Sequence, residues 1–328
     1  MSEDKSMRER IDKISKETGI PIKKVLDFLF MLHMGKPIKN NELVQRIGVS
    51  KNALNQVKEL LSSLLKPPSK STQLDEGVVR EVQSLFKSDY KPEEALWFLL
   101  ENGYYRESIG LLGKYADQRP SPERKYDQFT ATIETTARRA SLLNFFEDTS
   151  GKRLLFLGDD DFTSVAVANL HAASGVTVLD IDNRILDKID SISKSEKLDI
   201  NSGHYDARKT LPPSYSGKFD VIFTDPPYTT GGIKLFISRA VQALDLSNQT
   251  ARIYVCYGNS DRAKERFLPI YEVFGASGLM VRWVFDKFNR YQGAESIGSA
   301  SSLFILEATS KTKPLIIGNY DRPIYTNN

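Results

Sequence analysis

The sequence predicts an α/β protein in which a doubly wound parallel sheet carries the chemistry and a small all-helical module precedes it. Three observations predict this. Leu154–Leu157 is a short apolar run that stops at Gly158, the pattern of a strand buried on both faces and closed by a turn; Val165, Val167, Ala168 and Leu170 then supply the apolar positions of a helix. A second run, Gly175–Asp182, ends in Asp180 and Asp182, about twenty residues after the first turn. A third, Val221–Phe223, ends in Asp225-Pro226-Pro227-Tyr228. Strand, turn and helix repeated in this way build βαβ units, and such sheets bind ligands at the carboxyl ends of their strands.

The remaining elements follow in order. From Ile20 to Leu65 the pattern is helical, with Val25, Phe28, Leu29 and Leu32 on one face and a stop at Gly35-Lys36-Pro37. Asn41–Ile47 is a short helix and Gly48-Val49-Ser50 a tight turn, with Ser50 placed to cap a helix from Lys51 to about Leu65. This helix-turn-helix or winged-helix-like pattern reads either as a DNA-binding unit or as a packing module. The second reading is preferred, because the candidate recognition helix offers Lys51, Asn52, Asn55, Gln56 and Lys58 but no arginine. Lys66–Ser71 reads as a linker. Helices are expected near 76–86, 92–101 (with Trp97 and Phe98 as core) and 105–115. Gln118–Pro122 marks the boundary between an N-terminal domain, 1–118, and a catalytic domain, 119–328.

In the second domain, Ile133, Ala137, Ala140, Leu143 and Phe146 share a helical face. This helix leads into the first strand, so Asp127, Gln128, Glu134 and Thr135 are candidate pocket residues. A helix follows from Arg184, a third strand closes on His204-Tyr205-Asp206, and a helix spans 232–244. Strands at 251–257, 279–285 and 302–308 complete the sheet, the last two antiparallel and separated by a polar loop, 286–301.

Composition narrows the function. The chain has 328 residues, 40% hydrophobic and 27% charged, with a net charge of +3, which does not by itself imply nucleic acid. The single cysteine, Cys256, excludes an intramolecular disulfide and reads as a buried strand thiol. His33, His171 and His204 have no zinc-like spacing, so no metal is expected. No apolar stretch reaches ~20 residues and the N-terminus lacks a signal-type apolar core, so the expectation is a cytoplasmic protein that does not engage a membrane.

The turn after the first strand carries Asp159, Asp160 and Asp161, where a dinucleotide fingerprint would carry glycines. Three adjacent carboxylates repel a phosphate and attract a cation. The turn therefore reads as a solvated acidic loop, a metal site, or a nucleoside-type pocket rebuilt for a positively charged ligand. Asp180, with Asp182 next, stands where a carboxylate meets ribose hydroxyls, and Asp206 is placed for an adenine amino group. Pro226 and Pro227 fix an extended backbone, so Asp225 can accept hydrogen bonds from an amine while the Tyr228 ring packs over a cation.

Taken together, Asp127-Gln128, Glu134-Thr135, Gly158-Asp159-Asp160-Asp161 and Asp225-Pro226-Pro227-Tyr228-Thr229 resemble one family. It is the branched-chain polyamine synthases, or N4-bis(aminopropyl)spermidine synthases, whose catalytic domain has a Rossmann-like, class I methyltransferase-type fold. The resemblance covers about residues 119 to 309. It implies transfer of aminopropyl groups from decarboxylated S-adenosylmethionine to the secondary amine of spermidine, releasing 5'-methylthioadenosine, with no tightly bound cofactor and a homodimer as the assembly. It places catalysis on Asp159, the first choice of base, and Asp225, the second. The acceptor falls to Asp160, Asp161, Tyr228, Asp127, Gln128, Glu134 and Thr135, and the donor to Gly158, Asp180, Asp182 and Asp206. The D-P-P-Y element is also similar to amino-methyltransferases of nucleic acid, and a DNA-binding regulator with an inactive transferase domain is the third class. The acidic turn and the small net charge count against the former, and the set of strand-end acids against the latter.

Overall fold

The computed structural model describes residues 2–47, 49, 51–92, 100–101, 103–258, 264–292 and 300–326. Gly48 and Ser50, most of the expected 92–101 helix with Trp97 and Phe98, and residues 293–299 of the expected loop lie outside them. The chain forms two compact units. One comprises residues 1–100 with 145–147 and 248–250, and the other the remainder.

The first unit is built on helices α1 (Ser2–Thr18), α2 (Ile22–Leu32), α3 (Asn40–Ile47), α4 (Lys51–Leu60) and α5 (Val79–Ser84). Helix α1 was not anticipated, although Met7, Ile11 and Ile14 stand at helical spacing and are buried. Val25, Phe28, Leu29 and Leu32 of α2 are buried as their spacing implies, together with Leu54, Val57, Leu61 and Leu64. The expected linker at 66–71 is instead part of an antiparallel ribbon. Strand β1 (Ile38–Lys39) pairs with β2 (Ser71–Thr72), and Leu65 bridges to Leu74.

The second unit contains α6 (Gly103–Lys114), α7 (Ile133–Phe145), β3 (Arg153–Leu157), α8 (Thr163–Ala168), β4 (Gly175–Asp180), α9 (Asn183–Glu196) and β5 (Ile200–His204). It continues through β6 (Val221–Thr224), α10 (Thr230–Ala243), β7 (Arg252–Gly258), α11 (Leu268–Ala276), β8 (Met280–Arg290) and β9 (Ala300–Glu307). Seven strands lie in the order β5-β4-β3-β6-β7-β9-β8. The first five are parallel, and β9 runs antiparallel to both β7 and β8. This is the doubly wound order, with its switch point between β3 and β6. Leu154–Leu157, Val221–Thr224 and the whole of β7 are buried, as strands covered on both faces must be. The Cys256 thiol is among them.

Two features depart from expectation. Strand β8 does not end at residue 285 but continues to Arg290 across a register irregularity between Phe285 and Asn289, and Tyr291 then bridges to Ala131. Near the other end of β9, Arg252 is 3% exposed and bonds Asp148 and Glu307 at 2.9 Å each; Arg282 binds the other Glu307 oxygen and Tyr254 donates to Asp148. A second enclosed guanidinium, Arg239, donates to the carbonyls of Ala207, Ile317 and Gly318, which fastens the segment after β9 against α10.

Candidate active site

The register of the sheet brings the acids together. Leu157 stands opposite Leu179 on one side and Thr224 on the other, so Gly158, Asp180 and Asp225 leave three adjacent strands at one height. Gly158 has φ +79°, a conformation that only glycine adopts without strain, and its N–H donates to Leu179 O at 2.8 Å. The turn closes with Phe162 at φ 61°, strained for a buried aromatic residue.

Each carboxylate of this cluster has a distinct environment. Asp159 accepts from the N–H groups of Thr163 at 2.8 Å and Ser164 at 3.1 Å, so its oxygens face the first turn of α8. Burial pushes its carboxyl up to about 8, and the N–H donors oppose the rise. Asp180 accepts from the N–H of Asp159 at 3.0 Å and of Asp182 at 2.8 Å, tying the ends of β3 and β4 together. Asp161 accepts from Ala131 N–H and, at 2.6 Å, from Arg139. Asp225 accepts from Arg139 at 2.8 Å, Tyr228 at 3.0 Å and Tyr291 at 2.5 Å. Burial raises the Asp225 carboxyl, and the guanidinium offsets part of that rise. Burial beside Asp225 also holds both phenols above their usual range, so they remain donors. Asp160 is half-buried, and no described side chain or N–H is bonded to it. Burial comes first in raising its carboxyl, followed by repulsion from Asp161, Asp225, Asp180 and Asp159.

The residue at the centre is one that the sequence reading missed. Arg139 of α7 is 1% exposed and reaches Asp161, Asp225, Asn289 and Tyr291 with a single fork. Asn289 and Tyr291 were missed too, because Asn289 lies in the unanticipated extension of β8 and Tyr291 directly follows it. Ser301 completes this side, 2.8 Å from Tyr291 Oη and 2.9 Å from Asn289 Nδ2. A signal for Arg139 was present, since it lies four residues from both Thr135 and Leu143, within the buried stripe of its helix.

The other candidates surround the cluster without joining it. Gln128 reaches Asp182 at 3.3 Å, and Asp182 caps α9 while pairing with Arg184 at 2.6 Å. Asp206 is held by Arg208 at 2.9 Å. Both oxygens of Asp127 accept from Thr326, so this carboxylate anchors the segment after β9. Thr135 accepts from Arg290 N–H at 3.0 Å and fixes the end of β8, whereas Glu134 is exposed on α7. Among the described residues, no group of His, Cys, Asp and Glu is arranged to hold a metal ion.

A family model described as the branched-chain polyamine synthase A C-terminal domain matches residues 111–319. The chain belongs to the branched-chain polyamine synthase family. A Methanocaldococcus jannaschii relative called uncharacterized protein MJ0675 is 31% identical over 311 residues, 92% of this chain and 77% of that protein. The N(4)-bis(aminopropyl)spermidine synthase of the same organism is 36% identical over 141 residues, 43% of this chain and 40% of that synthase. That match therefore spans less than half of the named enzyme's length. Among solved structures, the branched-chain polyamine synthase from Thermus thermophilus, in complex with N4-aminopropylspermidine and 5'-methylthioadenosine, aligns over 98% of both chains with 22% identity and a TM-score of 0.63. At that identity the likeness speaks for the fold, a class I methyltransferase-type sheet behind a helical N-terminal region. No described helix is long and apolar enough to cross a membrane.

Proposed function

We propose that this family member transfers aminopropyl groups from decarboxylated S-adenosylmethionine to the secondary amine of spermidine, giving N4-aminopropylspermidine and then N4-bis(aminopropyl)spermidine. The observation that carries this reading is Asp160, a carboxylate with no hydrogen-bond partner among the described residues, set among four other acids and within electrostatic reach of Arg119, between the strand ends that hold Asp180 and Asp225. Such a cluster favours cations, and both donor and acceptor are cations. In each transfer the nitrogen lone pair forms the new N–C bond while the C–S bond breaks, and its electrons leave with sulfur as the neutral thioether of 5'-methylthioadenosine. The departing group needs no proton, so positioning does most of the work. The attacking nitrogen must be neutral, so a carboxylate takes its proton before attack.

The sequence reading ranks Asp159 first and Asp225 second for that proton. We assign it to Asp160, because helix N–H groups occupy Asp159 and Arg139 with two phenols occupies Asp225. Asp159 then sets the turn and Asp225 orients the amine with Tyr228. Asp161 fixes Arg139, Gln128 and Glu134 line the approach, and Thr135 and Asp127 shape it by holding Arg290 N–H and Thr326. Gly158, Asp180, Asp182 and Asp206 hold the nucleoside. Residues 1–118 act as an accessory domain and 119–328 as the catalytic one, in a cytoplasmic homodimer whose assembly state light scattering reads.

The donor follows from electrostatics. Intact S-adenosylmethionine would bring a carboxylate to the acidic turn, and a like-charge pair ~4 Å apart costs roughly 1 kcal/mol in water and roughly 4 at an effective dielectric of 20. Losing that carboxylate turns repulsion into attraction. Mass spectrometry after incubation with decarboxylated donor and spermidine should detect one and then two added aminopropyl groups. Tighter binding of the intact donor, with methyl transfer to any acceptor, would overturn the reading.

A further inference from the structure

A cavity of about 320 Å³ lies beyond the acid cluster, at the end of β7, beside the first half of β9 and the middle of β8, and against α11. Its walls include Tyr257, Phe267, Leu268, Tyr271 and Phe304, and Asp286 stands at its exposed rim. Rings connect it to the acids. Tyr228, whose hydroxyl is 3.0 Å from Asp225, has its ring centroid 5.1 Å from that of Tyr257, and Tyr257 meets Phe267 edge-on at 5.8 Å. Tyr271 packs edge-on against Phe304 at 6.0 Å yet remains 50% exposed, and Leu268 is 59% exposed. These rings and apolar side chains are open to solvent instead of being closed into the core.

We propose that this cavity is a subsite for the distal alkylammonium arm of a linear polyamine acceptor longer than spermidine. The inference rests on the aminopropyl-transfer reading and extends it to acceptor length. A polyamine arm alternates methylenes with ammonium groups, so it needs apolar wall and negative potential in one channel. Aromatic faces supply both at once, and the Asp286 carboxylate stands at the mouth, where it accepts from Ser302 Oγ at 3.1 Å. Nucleoside binding belongs to the β4 side, three strand spacings or about 14 Å from β7. The cavity instead spans one to three spacings from the β6 end that carries Asp225, about 5–14 Å, with Asp286 of β8 at the far side, a reach suited to the distal arm of a longer polyamine.

The test compares the full-length protein with Asp286→Asn and Tyr271→Ala, both altered at exposed positions. Spermidine and a linear tetraamine serve as acceptors, and titration of the tetraamine without donor gives an independent binding readout. The expected result is a tetraamine KM and Kd raised about three- to tenfold, with the spermidine KM changed less than about twofold and the donor KM unaltered. An equal change for both acceptors, or none, overturns the subsite. Failure of the wild-type protein to transfer aminopropyl groups to any acceptor would overturn the activity. The donor-free titration would then still decide whether the cavity binds the polyamine.

Discussion

Arg139 decides how the five acids divide their labour. It compensates Asp161 and Asp225 through one buried fork, and on the proposed reading Asp160 is left to the substrate. Removing one member of such a buried set costs about 3–5 kcal/mol, because the partner charges remain buried and uncompensated. Arg139→Met should lose that much in denaturant titrations. Arg139→Lys, which keeps the charge without the fork, should fold and move the acid limb of kcat to higher pH, since Asp225 then loses part of the contact that offsets its burial. A loss below about 1 kcal/mol with an unshifted pH profile would remove Arg139 from this role. Asp160→Asn should lower kcat on the order of 10²–10⁴-fold, and Asp159→Asn should lower it less; the opposite order would return the proton to Asp159. The strand-end acids were legible in the sequence because a buried run ending in a carboxylate allows few other interpretations. Arg139 was only partly so: its place within the buried stripe of α7 was a signal, but a charged residue normally faces water, and only the tertiary partners Asp161 and Asp225 make its burial favourable.

At the scale of elements, the β3–α8 turn couples the site to stability. Asp159 keeps its proton up to about pH 8 in the fold, whereas an unfolded aspartate releases it near pH 4. Between these values the folded state binds the extra proton, so this group's contribution is present below pH ~4 and is lost as pH rises toward 8. The melting temperature of the unliganded protein should therefore fall across that window, more steeply than in Asp159→Asn, where a neutral amide still caps α8. A flat wild-type profile would contradict the burial of this carboxyl. Elements were legible where periodicity was strong, as in β3, β6 and α2. The extension of β8 was not, because the register irregularity between Phe285 and Asn289 breaks the alternation that announces a strand, and Asn289 and Tyr291 escaped with it. The 66–71 stretch misled for a similar reason: Pro and Ser signal a chain break, but here they turn a short ribbon.

For the molecule as a whole, charge supplies no strong pull on polyanions, and any pull on small cations must be local to the acid cluster. The net charge of +3 is dispersed among 45 basic and 42 acidic residues. Duplex DNA should bind no more tightly than micromolar at physiological salt, because phosphate contacts supply most of non-specific affinity. A nanomolar, sequence-specific complex in a gel-shift assay would revive the regulator or nucleic-acid-modifying reading. The Arg252 network, with Asp148, Glu307, Arg282 and Tyr254, carries a further consequence, which is thermal. Hydration of ions weakens as water warms, so the desolvation cost of a buried charge network shrinks on heating while apolar burial gains little. Calorimetry should find Arg252→Gln more damaging close to the melting temperature than at 25 °C, so the enclosed arginines make up a growing share of this protein's stability as it is heated.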